Sequence, residues 1–400
     1  MITFLINILF LLSSLDANIL TGLDVIEQED FKLLHDKNIG LVINHTSVNK
    51  EEIHILDLLL NNKNMNVVSI FTPEHGLKGN FSAGEKVDYD SNQDFGIKIV
   101  SLYGNKKEPN LNDLEDIDCI VFDIQDIGSR YYTYVSTLTY MLNASALYDI
   151  PIIILDRPNP LGRHVEGPII SSDFYSFVGM HPIPIRHGMT IGELAQMING
   201  ENWIDSKKRA NLKVIKLDGW DTKPGYFSKP PSPNMPDFET ALIYNGTCLF
   251  EGTNISEGRG TKDPFLLFGA PWMDSNLILE DLIELDYKGV SFYQKTFKPQ
   301  SIDGARYPKY KNQLCYGIRM NVLNQSEIKP LEISISILKI IYKYHGDNFS
   351  FNNNNFIEKL YGSDVIKDNI KDKSSIQDLI NTWDKDSETF ISQREPYLLY

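Results

Sequence analysis

The chain has 400 residues but only three cysteines, Cys119, Cys248 and Cys315, too few and too scattered for a disulfide framework or a paired zinc cluster. They read as small buried residues, with a Cys248–Cys315 bridge left open. Basic residues are also scarce. The 38 Lys and Arg face 53 Asp and Glu, and the net charge of −15 repels a polyanion, which sets nucleic acid aside as a general partner. No apolar run is long enough to span a bilayer, which takes about 20 residues. The uncharged stretch Met1 to Leu15 has the length of a signal-peptide core, although no basic residue precedes it. Residues 1–17 therefore read as a signal peptide, and the mature protein as secreted or periplasmic with no stable membrane insertion. Neither a G-x-x-x-x-G-K-[ST] nor a G-x-G-x-x-G loop occurs, so a nucleotide is unsupported. Zincin and EF-hand spacings are missing as well, and a metal site would have to be assembled from dispersed residues such as His45, His75 and Asp126. Disorder and coiled coil are excluded by 42% hydrophobic and 23% charged residues.

What is present is an α/β pattern. Val25 to His35 and Ile53 to Leu60 carry helical periodicity. Between and after them lie short apolar runs at Ile39 to Ile43, Val67 to Phe71, Ile97 to Leu102, Ile120 to Ile124 and Ile152 to Leu155, with a helix over Tyr131 to Tyr148. Continuous apolar strands are expected where helices cover both faces of a parallel sheet. Polar clusters follow the runs: Asn44-His45, Thr72-Pro73-Glu74-His75-Gly76, Gln125-Asp126 and Asp156-Arg157-Pro158-Asn159-Pro160. The carboxyl ends of parallel strands are where ligands bind in open sheets, so these clusters mark a candidate site. Gly200 to Pro236 loosens into a proline-rich linker or wall-forming loop. Beyond it, helices at Leu277 to Leu285 and Leu331 to Tyr344 flank a strand at Val290 to Phe297, and Phe349 to Phe356 is an Asn-rich surface loop. The expected architecture is one parallel α/β domain over 18–236 and a smaller α+β domain over 237–400. Asn-x-Ser/Thr acceptors stand at Asn44, Asn80, Asn143, Asn245, Asn254, Asn324 and Asn348.

Several segments carry chemistry. Glu74, partly buried at a strand end, is suited to protonating a leaving oxygen with His75 beside it, against the alternative of a surface turn. Arg130, Tyr131 and Tyr132 offer a charge fork and stacking faces for a carboxylate-bearing sugar, or else form a plain helix start capped by Ser129. Asp156 and Arg157 read as a surface ion pair, while Glu166 lies in a loop after a strand end. Thr190 and Glu193 spell a capping box, leaving Arg186 and His187 to face a ligand. Glu251, Glu257 and Arg259 occupy the densest polar, glycine-rich stretch, suited to a polar wall or to a simple loop.

Taken in order, Pro73-Glu74-His75-Gly76, the Asp123 to Thr133 segment, Asp156 to Pro160, Glu166-Gly167-Pro168, Arg186 to Thr190, Pro233-Asn234-Met235-Pro236 and Glu251 to Thr261 resemble the exo-β-N-acetylmuramidase family, from about Gly22 to Tyr400. The resemblance implies a Rossmann-like domain joined to a smaller one, a site in the cleft between them and no nucleotide cofactor. It implies a glycosidase releasing N-acetylmuramic acid from the non-reducing ends of peptidoglycan fragments. Glu74 is then the leading acid/base with His75 beside it, and Glu166 or Glu257 the second acid. Arg130, Tyr131, Tyr132, Arg186, His187, Asn234 and Arg259 are the expected substrate contacts. A non-catalytic cell-wall-sugar-binding protein and a metal-dependent hydrolase are the alternatives.

Overall fold

The computed structural model describes residues 19–82, 96–225, 228–372 and 375–400. The apolar segment at 1–15 lies outside them. The first half runs α1 (Gly22–Gln28), β1 (Asn38–Ile43), α2 (Ile55–Leu60), β2 (Asn66–Thr72), β3 (Lys98–Ser101), β4 (Cys119–Asp123), α3 (Tyr134–Tyr148), β5 (Ile152–Leu155), α4 (Ile191–Gly200) and β6 (Leu212–Ile215). The second half continues with α5 (Phe238–Thr247), β7 (Leu267–Ala270), α6 (Ser275–Glu284), β8 (Val290–Phe297), β9 (Cys315–Val322), α7 (Pro330–His345), α8 (Phe356–Tyr361), α9 (Val365–Lys371) and α10 (Gln377–Arg394).

Strands β1 to β6 form one parallel sheet in the order β3-β2-β1-β4-β5-β6. This is the doubly wound order, with its switch point between β1 and β4. The strands read as unbroken apolar runs because successive residues enter different cores. Ile39, Leu41 and Ile43 of β1 and Val121 of β4 pack with α1 and α2. Val42, Ile120 and Phe122 pack on the opposite face, against α3 and α4. That second core runs on without a break into the other half, through Leu242, Phe268, Leu331 and Phe390. The smaller sheet is antiparallel, in the order β7-β9-β8, with α6 packed on β8 and α7 on α5.

Some expectations need correction. The loosened stretch after Gly200 contains β6, an edge strand whose residues are mostly half-exposed. The helix expected to start at Tyr131 starts at Tyr134, with Thr133 as its N-cap residue and no cap from Ser129. All three cysteines are buried free thiols, so Cys248 and Cys315 do not pair. Asn44, Asn143 and Asn245 are buried and cannot present a glycan, whereas Asn80, Asn324 and Asn348 are exposed. Among the described residues no helix is long and apolar enough to cross a membrane.

Candidate active site

The carboxyl edge of the parallel sheet faces the second half across a cleft. Glu74 and His75 enter it from the turn after β2, where Gly76 N–H donates to the Pro73 carbonyl at 3.1 Å. His75 takes a left-handed φ of 70°, uncommon for a residue with a side chain and a sign that the turn is over-determined by its surroundings. Its Nδ1 lies 2.6 Å from the Phe81 carbonyl. A carbonyl only accepts, so Nδ1 carries a proton. The Thr133 hydroxyl donates to Glu74 Oε2 at 2.7 Å. Because Thr133 is the N-cap of α3, the carboxylate stands at the positive end of that helix.

Two cavities meet at this carboxyl and a third adjoins them at Arg259. A small one of about 50 Å³ is lined by Glu74, His75, Tyr131, Tyr132, Asn234 and Arg259 among others. A second, of about 290 Å³, joins Glu74 and Tyr131 to Tyr103, Phe177, Tyr244 and Glu251. A third, of about 340 Å³, lies beyond Arg259 and is lined by Glu251, Glu257, Ser82 and the loop from Gly304 to Lys309. Arg259 borders all three. Its guanidinium stacks 5.0 Å from the Phe265 ring, bonds Glu251 at 2.7 Å and approaches Glu257 at 3.5 Å. Burial alone would lower its pKa, but these carboxylates outweigh it and raise the value. Burial likewise works to raise Glu257, yet Lys309 at 3.0 Å and then Arg259 win, holding its carboxyl below the ordinary range. Glu251, Glu257, Arg259 and Lys309 thus form one wall of mutually paired side chains.

The expected site residues fall into two groups. Glu74, His75, Tyr131, Tyr132, Asn234, Glu257 and Arg259 come together at the cleft. Tyr131 presents its ring, because its hydroxyl is spent on the Asn245 carbonyl. Arg130, Arg186, His187 and Glu166 do not join them, for physical reasons visible in their partners. Arg130 is 2% exposed and donates to the carbonyls of Pro168, Ile183, Leu360 and Tyr361 at 2.8 to 2.9 Å, a tie between the two halves rather than a substrate contact. Arg186 donates to the Leu161 carbonyl at 2.7 Å, and its backbone pairs with that of Glu166. Burial pushes Arg186 down to about 10 and Glu166 up, each opposed by the other's charge. His187 is fully buried, accepts the Met189 N–H at Nδ1, and is pushed down to about 3 by burial and by the charges of Arg394 and Arg130. It is a neutral core histidine.

The other candidate roles also resolve. His45, His75 and Asp126 form no ligand set, and among the described residues the cluster with metal-compatible spacing is Asp24, Glu27 and Glu51. Arg157 is 1% exposed and pairs with Asp123 at 2.5 and 2.8 Å rather than with its neighbour Asp156. The capping box of Thr190 and Glu193 is present as expected. Thr133 ends the Asp123 to Thr133 motif but carried no expected role, and Tyr103, Phe177, Tyr244 and the 304–309 loop are cleft residues outside every motif. The turn signals Gly304 and Pro308 were their one trace in the sequence.

A doubly wound α/β half, a smaller sheet-and-helix half and a tyrosine-walled cleft holding a carboxyl beside an Arg–Glu cluster define the general class, a two-part α/β enzyme with its cleft at the carboxyl edge of the parallel sheet. The comparisons make it specific. Models of the exo-β-N-acetylmuramidase NamZ match residues 39–239 with their N-terminal part and residues 242–400 with their C-terminal part. The peptidoglycan β-N-acetylmuramidase NamZ of Bacillus subtilis (strain 168) is 38% identical over 386 residues, covering 95% of this chain and 91% of that protein. Two crystal structures of DUF1343 family proteins from Bacteroides fragilis NCTC 9343 superpose with TM-scores of 0.86 and 0.77 at 30% and 36% identity, each covering 96% of this chain and 99% of its own. The chain belongs to the exo-β-N-acetylmuramidase NamZ family.

Proposed function

We propose that this protein is an exo-acting glycoside hydrolase that releases N-acetylmuramic acid from the non-reducing ends of peptidoglycan fragments. Family membership supports the reaction class. The observation that carries the site is Glu74, shared by the two cavities on the same side of Arg259 and fixed by the Thr133 hydroxyl at the N-terminus of α3. In this reading Glu74 protonates the glycosidic oxygen as its bond to the anomeric carbon breaks, and recovers a proton from the water whose oxygen bonds to that carbon. The cavity of about 290 Å³ at that carboxyl is walled by the aromatic side chains of Tyr103, Tyr131, Phe177 and Tyr244, faces suited to a sugar ring. Arg259 is the cation for the lactyl carboxylate of the substrate. It is the one of the three expected arginines that reaches the cleft, and Glu251 and Glu257 hold it in position.

The test is hydrolysis of the disaccharide N-acetylmuramic acid-β-1,4-N-acetylglucosamine. The wild type yields both monosaccharides. Glu74→Gln keeps an acceptor for the Thr133 hydroxyl and unfolds at the wild-type temperature, but kcat falls roughly 10²–10⁴-fold. An undiminished kcat in a folded Glu74→Gln protein would remove Glu74 from the reaction.

A further inference from the structure

Tyr307 is 88% exposed, yet it stands on a segment held from several sides. Asn234 Nδ2 donates to the Gly304 carbonyl at 2.7 Å, the Arg306 N–H donates to Ser82 Oγ at 3.2 Å, and Ser301 Oγ donates to the Arg306 carbonyl at 2.8 Å. Lys309 Nζ donates to the carbonyls of Phe250 and Ile255 at 2.8 and 2.9 Å. Gly304 adopts a φ of 79°, and a Cβ there would meet Pro233 at 2.3 Å, so only glycine lets the turn press against the Pro233-Asn234 wall. A turn built to this degree of constraint holds its large aromatic ring in water, where burial contributes nothing to stability.

That ring lines the cavity of about 340 Å³ beyond Arg259, and Arg259 and Glu251 are shared with the cavity that contains Glu74. On the Glu74 side the space is walled by Tyr131, Tyr244, Phe177 and Leu360. On the loop side it opens to solvent at Tyr307. Because the two cavities adjoin at Arg259 and Glu251, a saccharide whose terminal ring sits at Glu74 has a path across Arg259 and over the loop. A pyranose presents an apolar C–H face and a hydroxylated rim, which matches an exposed aromatic face with the Lys311 ammonium 5.7 Å from its ring centroid.

We propose that the 304–309 loop is the binding subsite for the leaving saccharide, the sugar on the reducing side of the scissile bond, and that Tyr307 is the surface on which that sugar stacks. The assignment rests on the hydrolase reading above and adds which part of the cleft selects a sugar as leaving group.

The experiment compares two substrates in the same enzyme preparation: the disaccharide, and β-N-acetylmuraminyl fluoride, whose leaving group is a single atom and cannot reach the loop. In Tyr307→Ala the ratio of kcat/KM on the disaccharide to that on the fluoride falls about tenfold, mainly through KM, while Tyr307→Trp and Tyr307→Phe stay within about threefold of the wild type. The ratio is insensitive to the fraction of folded enzyme. An unchanged ratio in Tyr307→Ala overturns the subsite, whether both rates are intact or both drop together. A wild type that cleaves neither compound refutes the hydrolase reading itself, and the subsite with it.

Discussion

Asp126 has surroundings that oppose its charge. It follows β4 at the sheet edge, where Oδ2 accepts the Gly128 N–H at 2.7 Å while Oδ1 is buried without a hydrogen-bond partner. His187 Nε2 lies 4.0 Å away on a neutral ring, and the charge of Asp126 is felt by Tyr132 and Tyr134 at and just before the start of α3. Burial pushes Asp126 from 3.8 up to about 7, against the lowering effect of the Gly128 and Ile127 N–H groups. A carboxyl with a raised folded-state pKa contributes its stability fully below the unfolded value and loses it as pH rises through the folded one. Asp126→Asn mimics the protonated form, so between pH 4 and pH 8 the wild type should lose roughly 2–4 kcal/mol relative to the variant. Urea unfolding of both proteins across that range checks this, and parallel pH profiles would contradict it. The same scale explains why three arginines looked alike in the sequence. Charge is legible, but a carbonyl partner is not: Arg130 is absorbed by backbone oxygens 38 to 231 positions away, whereas Arg259 finds Glu251 only 8 positions away in its own segment.

At the scale of elements, α4 shows what local sequence specifies well. Thr190 Oγ1 accepts the Glu193 N–H at 3.2 Å and Glu193 returns to the Thr190 N–H at 2.9 Å, a box contained within four residues. What the sequence does not contain is the second task of that hydroxyl, which donates to Asp156 Oδ2 at 2.7 Å across the end of β5. Burial pushes Asp156 up to about 6, and the Thr190 hydroxyl opposes it most strongly. Thr190→Ala removes a helix cap and a buried carboxylate's donor together, so the expected loss is about 2–3 kcal/mol, more than a cap alone gives. Denaturant unfolding at neutral pH measures it, and a loss below about 1 kcal/mol would show that Asp156 finds another donor. Strands were legible where both faces are covered, as in β1, β4 and β5, because four to six apolar residues in a row leave no other reading. The short edge strand β6 escaped because Leu212, Val214 and Ile215 are only half-buried and Lys213 is exposed, so its hydropathy does not stand out. The place of Glu74 at the cleft was legible because a turn after a strand advertises itself with Pro73 and Gly76, whereas Tyr244 reaches the cleft from the middle of an ordinary helix.

Two folds of different kind are joined here into one cooperative body. The larger core crosses from the parallel sheet to α5, α7 and α10 without a gap, and the chain end reinforces it by returning to the first half. Arg394 donates to the carbonyls of His187, Gly188 and Arg163 at 2.8 to 3.0 Å. The Leu399 N–H donates to Glu193 at 2.8 Å, and the Tyr400 hydroxyl donates to Asp156 at 2.7 Å while accepting the Leu217 N–H at 2.8 Å. These contacts converge on α4 and on the segment before it, which holds Arg186 and His187 in their buried places behind the cleft. Ending the chain after Gln393 removes the whole strap and leaves Asp156 and Glu193 short of donors, but touches neither Glu74 nor Arg259. The expected result is a loss of roughly 3–6 kcal/mol, less than the sum of the individual bonds because they share partners. Calorimetry should still show one transition for the truncated chain, since the continuous core, and not the strap, makes the two halves unfold together. A second peak would mean that the terminal residues are what couple the halves, and an unchanged midpoint would mean that the strap adds no stability at all.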